Sequence, residues 1–102
     1  MGGDAFLKLE IELIYFEGCP NTEPARANLR RALETLNLAF EWQEWEQGDP
    51  RAPEYVRQYG SPTVLLNGRD VTGVEPGLGG AACRADGAPS VDVIKAAVET
   101  AT

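Results

Sequence analysis

Residues 61–72, SPTVLLNGRDVT, carry the clearest structural signal in the chain. Two runs with strand-forming character, residues 63–66 and 69–72, flank the dipeptide Asn67-Gly68. Asn-Gly is the preferred two-residue connection of a β-hairpin, because both positions need positive φ angles that these residues tolerate. The pattern therefore predicts two adjacent antiparallel strands.

Upstream of the hairpin, the sequence predicts a strand, a helix, a second strand and a short helix. Residues 9–16 (LEIELIYF) form a strand that becomes buried towards its end. Residues 22–38 form a helix, residues 40–46 a second strand, and residues 52–59 a short helix that Gly60 ends. The long helix has an apolar face at helical spacing: Ala25, Leu29, Ala32, Leu33 and Leu36.

Downstream of the hairpin, residues 73–89 are rich in glycine and alanine and show no period, and Cys83 lies within them. A long segment of this kind in a small domain is commonly functional or mobile. A last helix begins after Ser90, a good N-cap residue. Its inner face is expected at Val91, Ile94, Val98 and Ala101.

The element order βαβαββα predicts an α/β fold. Two strands joined through a helix are parallel, whereas the hairpin adds antiparallel strands. We therefore expect a four-stranded mixed sheet with helices on both faces. We expect residues 1–102 to form one domain, with residues 1–8 as a flexible N-terminus.

Composition excludes several classes of function. The net charge of −7 argues against nucleic acid and anionic membranes as partners, since both require clustered Lys and Arg. Histidine is absent, which removes Ser-His and Cys-His nucleophile pairs and most zinc sites. No apolar run reaches the roughly 20 residues of a membrane span, and no signal-peptide pattern opens the chain, so a cytoplasmic location is expected.

Cys19 is the strongest candidate for chemistry. It follows the first predicted strand in the turn-forming run Gly18-Cys19-Pro20 and precedes the first helix. Unpaired N–H groups and the dipole at a helix N-terminus stabilise a thiolate, the reactive form of cysteine, although Glu17 and Glu23 oppose this effect. We expect an exposed, reactive thiol here; the alternative is a small buried apolar side chain.

Two motifs resemble the thioredoxin-like superfamily, and the resemblance extends over residues 9–101. The run Gly18-Cys19-Pro20-Asn21-Thr22 resembles the CxxC, CxxS or CxxT motif that carries the family's nucleophile. Ser61-Pro62-Thr63, just before the third strand, resembles the family's cis-proline motif. The run SPTVLLNGRDVTG, followed by a Cys-Arg pair and GAPS, is similar to small bacterial thioredoxin-like proteins, some of which occur near metal- or mercury-resistance functions.

The resemblance implies a thiol-disulfide oxidoreductase that needs no metal or other cofactor. Cys19 would be the nucleophile, and Cys83 or an external thiol such as glutathione would resolve the mixed disulfide. Thr22 stands where a thioredoxin carries its second cysteine, and its hydroxyl would donate to the thiolate. The substrate, a protein or small-molecule thiol or disulfide, would contact four residues: Pro20, Ser61, Pro62 and Thr63.

Two other functions remain open at this point. Two thiolates without histidine suit a soft metal ion such as Hg(II) or Cu(I). A thioredoxin-like module that has lost catalysis would instead serve only in binding. Cys83 is equally well interpreted as an incidental loop cysteine, and the sequence leaves the oligomeric state open.

Overall fold

The computed structural model describes residues 9–38, 41–73 and 87–101. The predictions for the N-terminal eight residues and for Cys83 lie outside these ranges. The elements, in chain order, are β1 (Ile11–Tyr15), α1 (Thr22–Thr35), β2 (Gln43–Glu46), a 3-10 helix (Glu54–Gln58), β3 (Thr63–Leu66), β4 (Arg69–Asp70) and α2 (Val91–Ala101). Within the described ranges, no helix has the length and apolar character needed to cross a bilayer.

The four strands form one mixed sheet in the order β2-β1-β3-β4. β1 pairs in parallel with β2 and antiparallel with β3, and β3 pairs antiparallel with β4. The predicted α/β class and four-stranded mixed sheet are therefore confirmed. The short helix expected over residues 52–59 is a 3-10 helix, which leaves two α-helices in the described part of the chain. Five residues offer too few i→i−4 hydrogen bonds to favour an α-helix.

The hairpin has the predicted turn but a shorter second strand. Asn67 and Gly68 adopt φ angles of 51° and 87°. Asn67 also binds the backbone of Glu10 twice, since its N–H donates to the Glu10 carbonyl at 2.8 Å and its Oδ1 accepts from the Glu10 N–H at 2.9 Å. β4 ends at Asp70 rather than at Thr72, because the Asp70 carboxylate accepts from the Thr72 N–H and hydroxyl and so turns the chain.

Each face of the sheet carries its own apolar core. The larger core lies between the sheet and the two α-helices and contains Ile11, Leu13, Ala25, Leu29, Ala32, Leu33, Val64, Leu66, Ile94 and Val98. The smaller core lies beneath the 3-10 helix and contains Ile14, Ala52, Val56, Tyr59 and Leu65. Alternation along β1 divides its side chains between the two cores.

The ends of the two α-helices lie near the positions that the sequence predicts. α1 ends at Thr35, three residues before the predicted end at residue 38, and Asn37 adopts a φ of 64° just beyond it. The Ser90 hydroxyl accepts from the Val93 N–H at 3.1 Å and caps α2. The Asn28 side-chain amide donates to the Pro89 carbonyl at 2.9 Å and so ties the start of α2 to α1. Ala101, expected on the inner face of α2, is exposed.

Two polar clusters cover the β1–β2 pair, one on each face of the sheet. On the α-helical face, Arg26 binds Glu44 through two nitrogens, each 2.8 Å from a carboxylate oxygen, and the Trp42 indole donates to the same carboxylate at 2.9 Å. On the opposite face, the Trp45 indole at 2.8 Å and the Tyr55 hydroxyl both donate to Glu12. Each tryptophan is therefore packed at a core edge with its N–H satisfied by a glutamate.

Candidate functional site

Two successive turns carry the chain from β1 into α1, and they share Cys19. The Cys19 N–H donates to the Phe16 carbonyl at 3.2 Å, and the Thr22 N–H donates to the Cys19 carbonyl at 3.3 Å. Gly18, the third residue of the first turn, has a φ of 91°. A type II turn requires a positive φ at that position, where glycine alone adopts it without a steric cost. The sequence thereby places Cys19 directly before the first turn of α1.

Ser61 contacts both ends of the Phe16–Cys19 turn. Its hydroxyl accepts from the Phe16 N–H at 3.1 Å, and its carbonyl oxygen lies 3.6 Å from the Cys19 Sγ, which donates to it. The Ser61–Pro62 peptide bond is cis. Ser61, Pro62 and Thr63 are each less than 2% exposed, and the Thr63 hydroxyl donates to the Gly60 carbonyl at 2.6 Å. A single buried residue thus aligns the Cys19 turn with the start of β3.

Burial of Cys19 differs from the sequence-based expectation. The residue is 7% exposed, so the prediction of an exposed thiol was wrong. The reason is tertiary: the backbone of Ser61, 42 residues away in sequence, lies against the sulfur. Pro20, the next residue, is exposed.

Opposing influences act on the charge state of the Cys19 sulfur. The N-terminus of α1 favours the thiolate. The Ser61 carbonyl can only accept a hydrogen bond, so it favours the protonated thiol. Thr22 is 7% exposed, and its hydroxyl oxygen is buried without a hydrogen-bond partner among the described residues.

The predicted site residues divide into three groups. Cys19 and Ser61 are in contact, with Thr22 in the adjoining turn and Pro62 following Ser61. Thr63 is buried, and its hydroxyl is directed to the backbone of Gly60. Cys83 lies outside the described residues. In the part of the chain that the structure describes, no three Cys, Asp or Glu side chains are grouped so as to hold a metal ion.

Gln47 is a site-related residue that the sequence did not reveal. It follows β2 directly and is 4% exposed. Its backbone N–H donates to the Tyr15 carbonyl at 2.8 Å, and its side-chain nitrogen donates to the carbonyls of Val56 at 2.8 Å and Tyr59 at 2.5 Å. A glutamine between Glu46 and Gly48 carries no sequence signal of this role, because all three acceptors are brought to it by tertiary structure.

The chain was compared with known proteins at the level of families, sequences and structures. No family model, curated protein or solved structure matches it significantly.

Proposed function

We propose that the protein is a thiol-disulfide oxidoreductase of the thioredoxin-like type, with Cys19 as its nucleophile. The contact between the Cys19 Sγ and the Ser61 carbonyl, at the N-terminus of α1, is the observation that carries the proposal. It joins the two motifs on which the resemblance rests, although they are 42 residues apart. The order of strands and helices supports the same proposal, with the 3-10 helix in the place of the second helix.

The proposed reaction proceeds by successive thiol-disulfide exchanges. The Cys19 thiolate attacks one sulfur of a substrate disulfide, forms a mixed disulfide with it, and releases the other sulfur as a thiolate that takes up a proton. A second thiol then attacks the mixed disulfide. When glutathione supplies both remaining steps, two glutathiones are oxidised to glutathione disulfide, the substrate is reduced to two thiols, and Cys19 is regenerated.

The Cys19 thiolate must be stabilised when it forms and again when it is released from the mixed disulfide. The α1 N-terminus supplies part of this, because its backbone N–H groups and dipole favour negative charge. The Thr22 hydroxyl is a further donor in the turn that follows Cys19, and it has no other acceptor in the described part of the protein. The Ser61 carbonyl loses the hydrogen bond from the thiol when the thiolate forms. Of the four residues expected to contact the substrate, Pro20 is exposed and would meet it first, whereas Ser61, Pro62 and Thr63 are less than 2% exposed and would be reached only after the substrate displaces the groups that cover them.

Cys83 is the second candidate for the resolving thiol. A Cβ built on Gly87 would lie 3.9 Å from the Asn21 side-chain nitrogen, so the chain reaches the α1 N-terminus four residues after Cys83. A disulfide needs Cα atoms within about 7 Å. A Cys19–Cys83 disulfide would be the product of resolution by this thiol.

Paired serine variants test the proposal. Cys19→Ser is expected to abolish exchange with glutathione disulfide and with a mixed peptide disulfide, because the nucleophile is removed. Cys83→Ser is the matched control, since it removes the other thiol: it keeps the first exchange and loses only the step that Cys83 performs. Full exchange activity in Cys19→Ser would overturn the proposal.

Mass spectrometry of the oxidised protein distinguishes the forms of the mechanism. A Cys19–Cys83 disulfide identifies an internal resolving pair, whereas glutathione on Cys19 identifies the monothiol route. Stoichiometric Hg(II) or Cu(I) uptake that needs both cysteines, without disulfide turnover, would replace the proposal with metal binding. A Cys19 that forms neither product and takes up no metal would leave a binding module.

A further inference from the structure

Gln47 connects the two backbone segments that meet at Cys19. One segment is the end of β1, where the Tyr15 carbonyl accepts from the Gln47 backbone and where Phe16 begins the Cys19 turn. The other is the end of the 3-10 helix, where the Tyr59 carbonyl accepts from the Gln47 side chain two residues before Ser61. Ser61 then joins the same two segments directly, through Phe16 and Cys19.

Gln47 is a buried polar residue whose side chain binds the backbone of two residues of the smaller core. Its side-chain nitrogen satisfies two carbonyls, those of Val56 and Tyr59, while its Oε1 is buried without a hydrogen-bond partner among the described residues. An unsatisfied buried acceptor is costly. Apolar packing therefore does not account for a glutamine at this position. Its side-chain amide serves to hold the Val56 and Tyr59 carbonyls.

We infer that Gln47 is a positioning residue for Cys19, which it acts on through Tyr59 and Ser61. By fixing the Tyr59 carbonyl relative to the end of β1, the Gln47 amide sets where the Ser61 carbonyl lies against the Cys19 Sγ. That position decides how strongly the protonated thiol is favoured over the thiolate. Gln47 touches neither the sulfur nor an incoming disulfide in this role.

Gln47→Met tests this inference, because methionine has a similar shape and cannot donate to either carbonyl. The measurement is the rate of Cys19 alkylation by iodoacetamide between pH 5 and pH 10, read at the Cys19 peptide by mass spectrometry. We expect the pH of half-maximal rate to fall by about one unit, and the rate at pH 7 to rise about tenfold, as the Ser61 carbonyl moves away from the sulfur.

Val98→Ala is the matched control, since it weakens the larger core and leaves the Gln47 bonds intact. In this control the fold opens more often, so we expect a higher alkylation rate. The pH of half-maximal rate is not expected to fall. A Gln47→Met profile that matches the wild type or Val98→Ala in its half-maximal pH would overturn the inference and leave Gln47 a purely structural residue.

The test has a second variant, and its measurement does not depend on disulfide exchange. If Gln47→Met fails to fold, Gln47→Asn retains the amide on a shorter side chain that cannot reach both carbonyls, and the same but smaller shift is expected. Alkylation also needs no disulfide exchange. A protein that lacks exchange activity would overturn the proposed function, whereas an unchanged alkylation profile would overturn only the role of Gln47.

Discussion

The two faces of the sheet are stabilised in different ways. Among the residues that the structure describes, the α-helical face has ten buried apolar residues, supplied by β1, β3 and both α-helices. The opposite face has five within the same ranges, and its 3-10 helix is also held by hydrogen bonds from Gln47 and by the contact of Tyr55 with Glu12. Ser61, which meets Cys19, follows directly from this second face. The candidate site therefore adjoins the face of the sheet that has the smaller apolar core and more polar contacts.

The polar clusters on the two faces also differ, because one glutamate is paired with a cation and the other with neutral donors. Glu44 has a cation, Arg26, whose hydrogen bonds lower the pKa of the Glu44 carboxyl. Glu12 has neutral donors instead, and burial together with this carboxylate raises the pKa of Tyr55 to about 12. The hydroxyl of Tyr55 thus remains a donor throughout the physiological range. The comparison predicts global effects from changes on the first face and local effects on the second.

The largest effect is expected for Leu33→Ala, on the α-helical face. Leu33 is fully buried, so truncation should lower the free energy of unfolding by about 2–5 kcal/mol. Urea denaturation measures the loss. Because the large core stabilises the whole domain, backbone amide exchange should accelerate throughout the protected residues. Acceleration confined to α1 would contradict this view of the larger core.

A smaller and more local effect is expected for Val56→Ala, under the 3-10 helix. Val56 is also fully buried, and its truncation should cost about 2 kcal/mol. Amide exchange at Val56 and Tyr59 should accelerate more than exchange at Leu29 in α1, as measured by NMR. Equal acceleration at all three positions would show that the two cores unfold as one unit and would remove the distinction between the faces.

The smallest effect is expected for Glu44→Gln. The pKa of Glu44 is lowered below its ordinary value of 4.5, chiefly by the Arg26 hydrogen bonds. The resulting stabilisation is present above that value and is lost as the pH falls through the folded-state pKa. We expect a loss of less than about 1 kcal/mol at pH 7, because the pair is partly exposed.

Urea denaturation at several pH values checks this prediction. The difference between wild type and Glu44→Gln should shrink as the pH falls below 4.5 and through the lowered folded-state pKa of Glu44, because the carboxyl then becomes neutral like glutamine. Glu41→Gln is the matched control, since Glu41 is an exposed glutamate just before the same strand. An equal loss in the control would assign the effect to net charge instead of the Arg26 pair.

Local signals in the sequence predicted much of the fold. The turn at Asn67-Gly68 and the cap at Ser90 each depend on a few neighbouring residues, and each is present in the structure. The apolar face of α1 was also predicted, with only Leu36 partly exposed. These features are decided by backbone preference and periodicity, which a sequence displays directly.

The candidate site was predictable in position but not in environment. The turn around Gly18 and the strand before it placed Cys19 at the start of α1. Its burial depends on Ser61, and the alignment of Ser61 depends on β1–β3 pairing and on Gln47. Those contacts join residues far apart in sequence, so no local pattern contains them. For the same reason the early end of β4, caused by the Asp70 side chain, was missed.

At each end of the β1–β3 pair, the side chain of a residue that flanks β3 accepts a hydrogen bond from the β1 segment. Asn67 binds the Glu10 backbone at one end, and Ser61 binds the Phe16 N–H at the other. A slip of one residue would break both hydrogen bonds, exchange the side chains of the two cores, and displace Ser61 by about 3.3 Å relative to Cys19. The two hydrogen bonds therefore favour the native register of the central strands, within which Gln47 adjusts the spacing between the Cys19 sulfur and the Ser61 carbonyl.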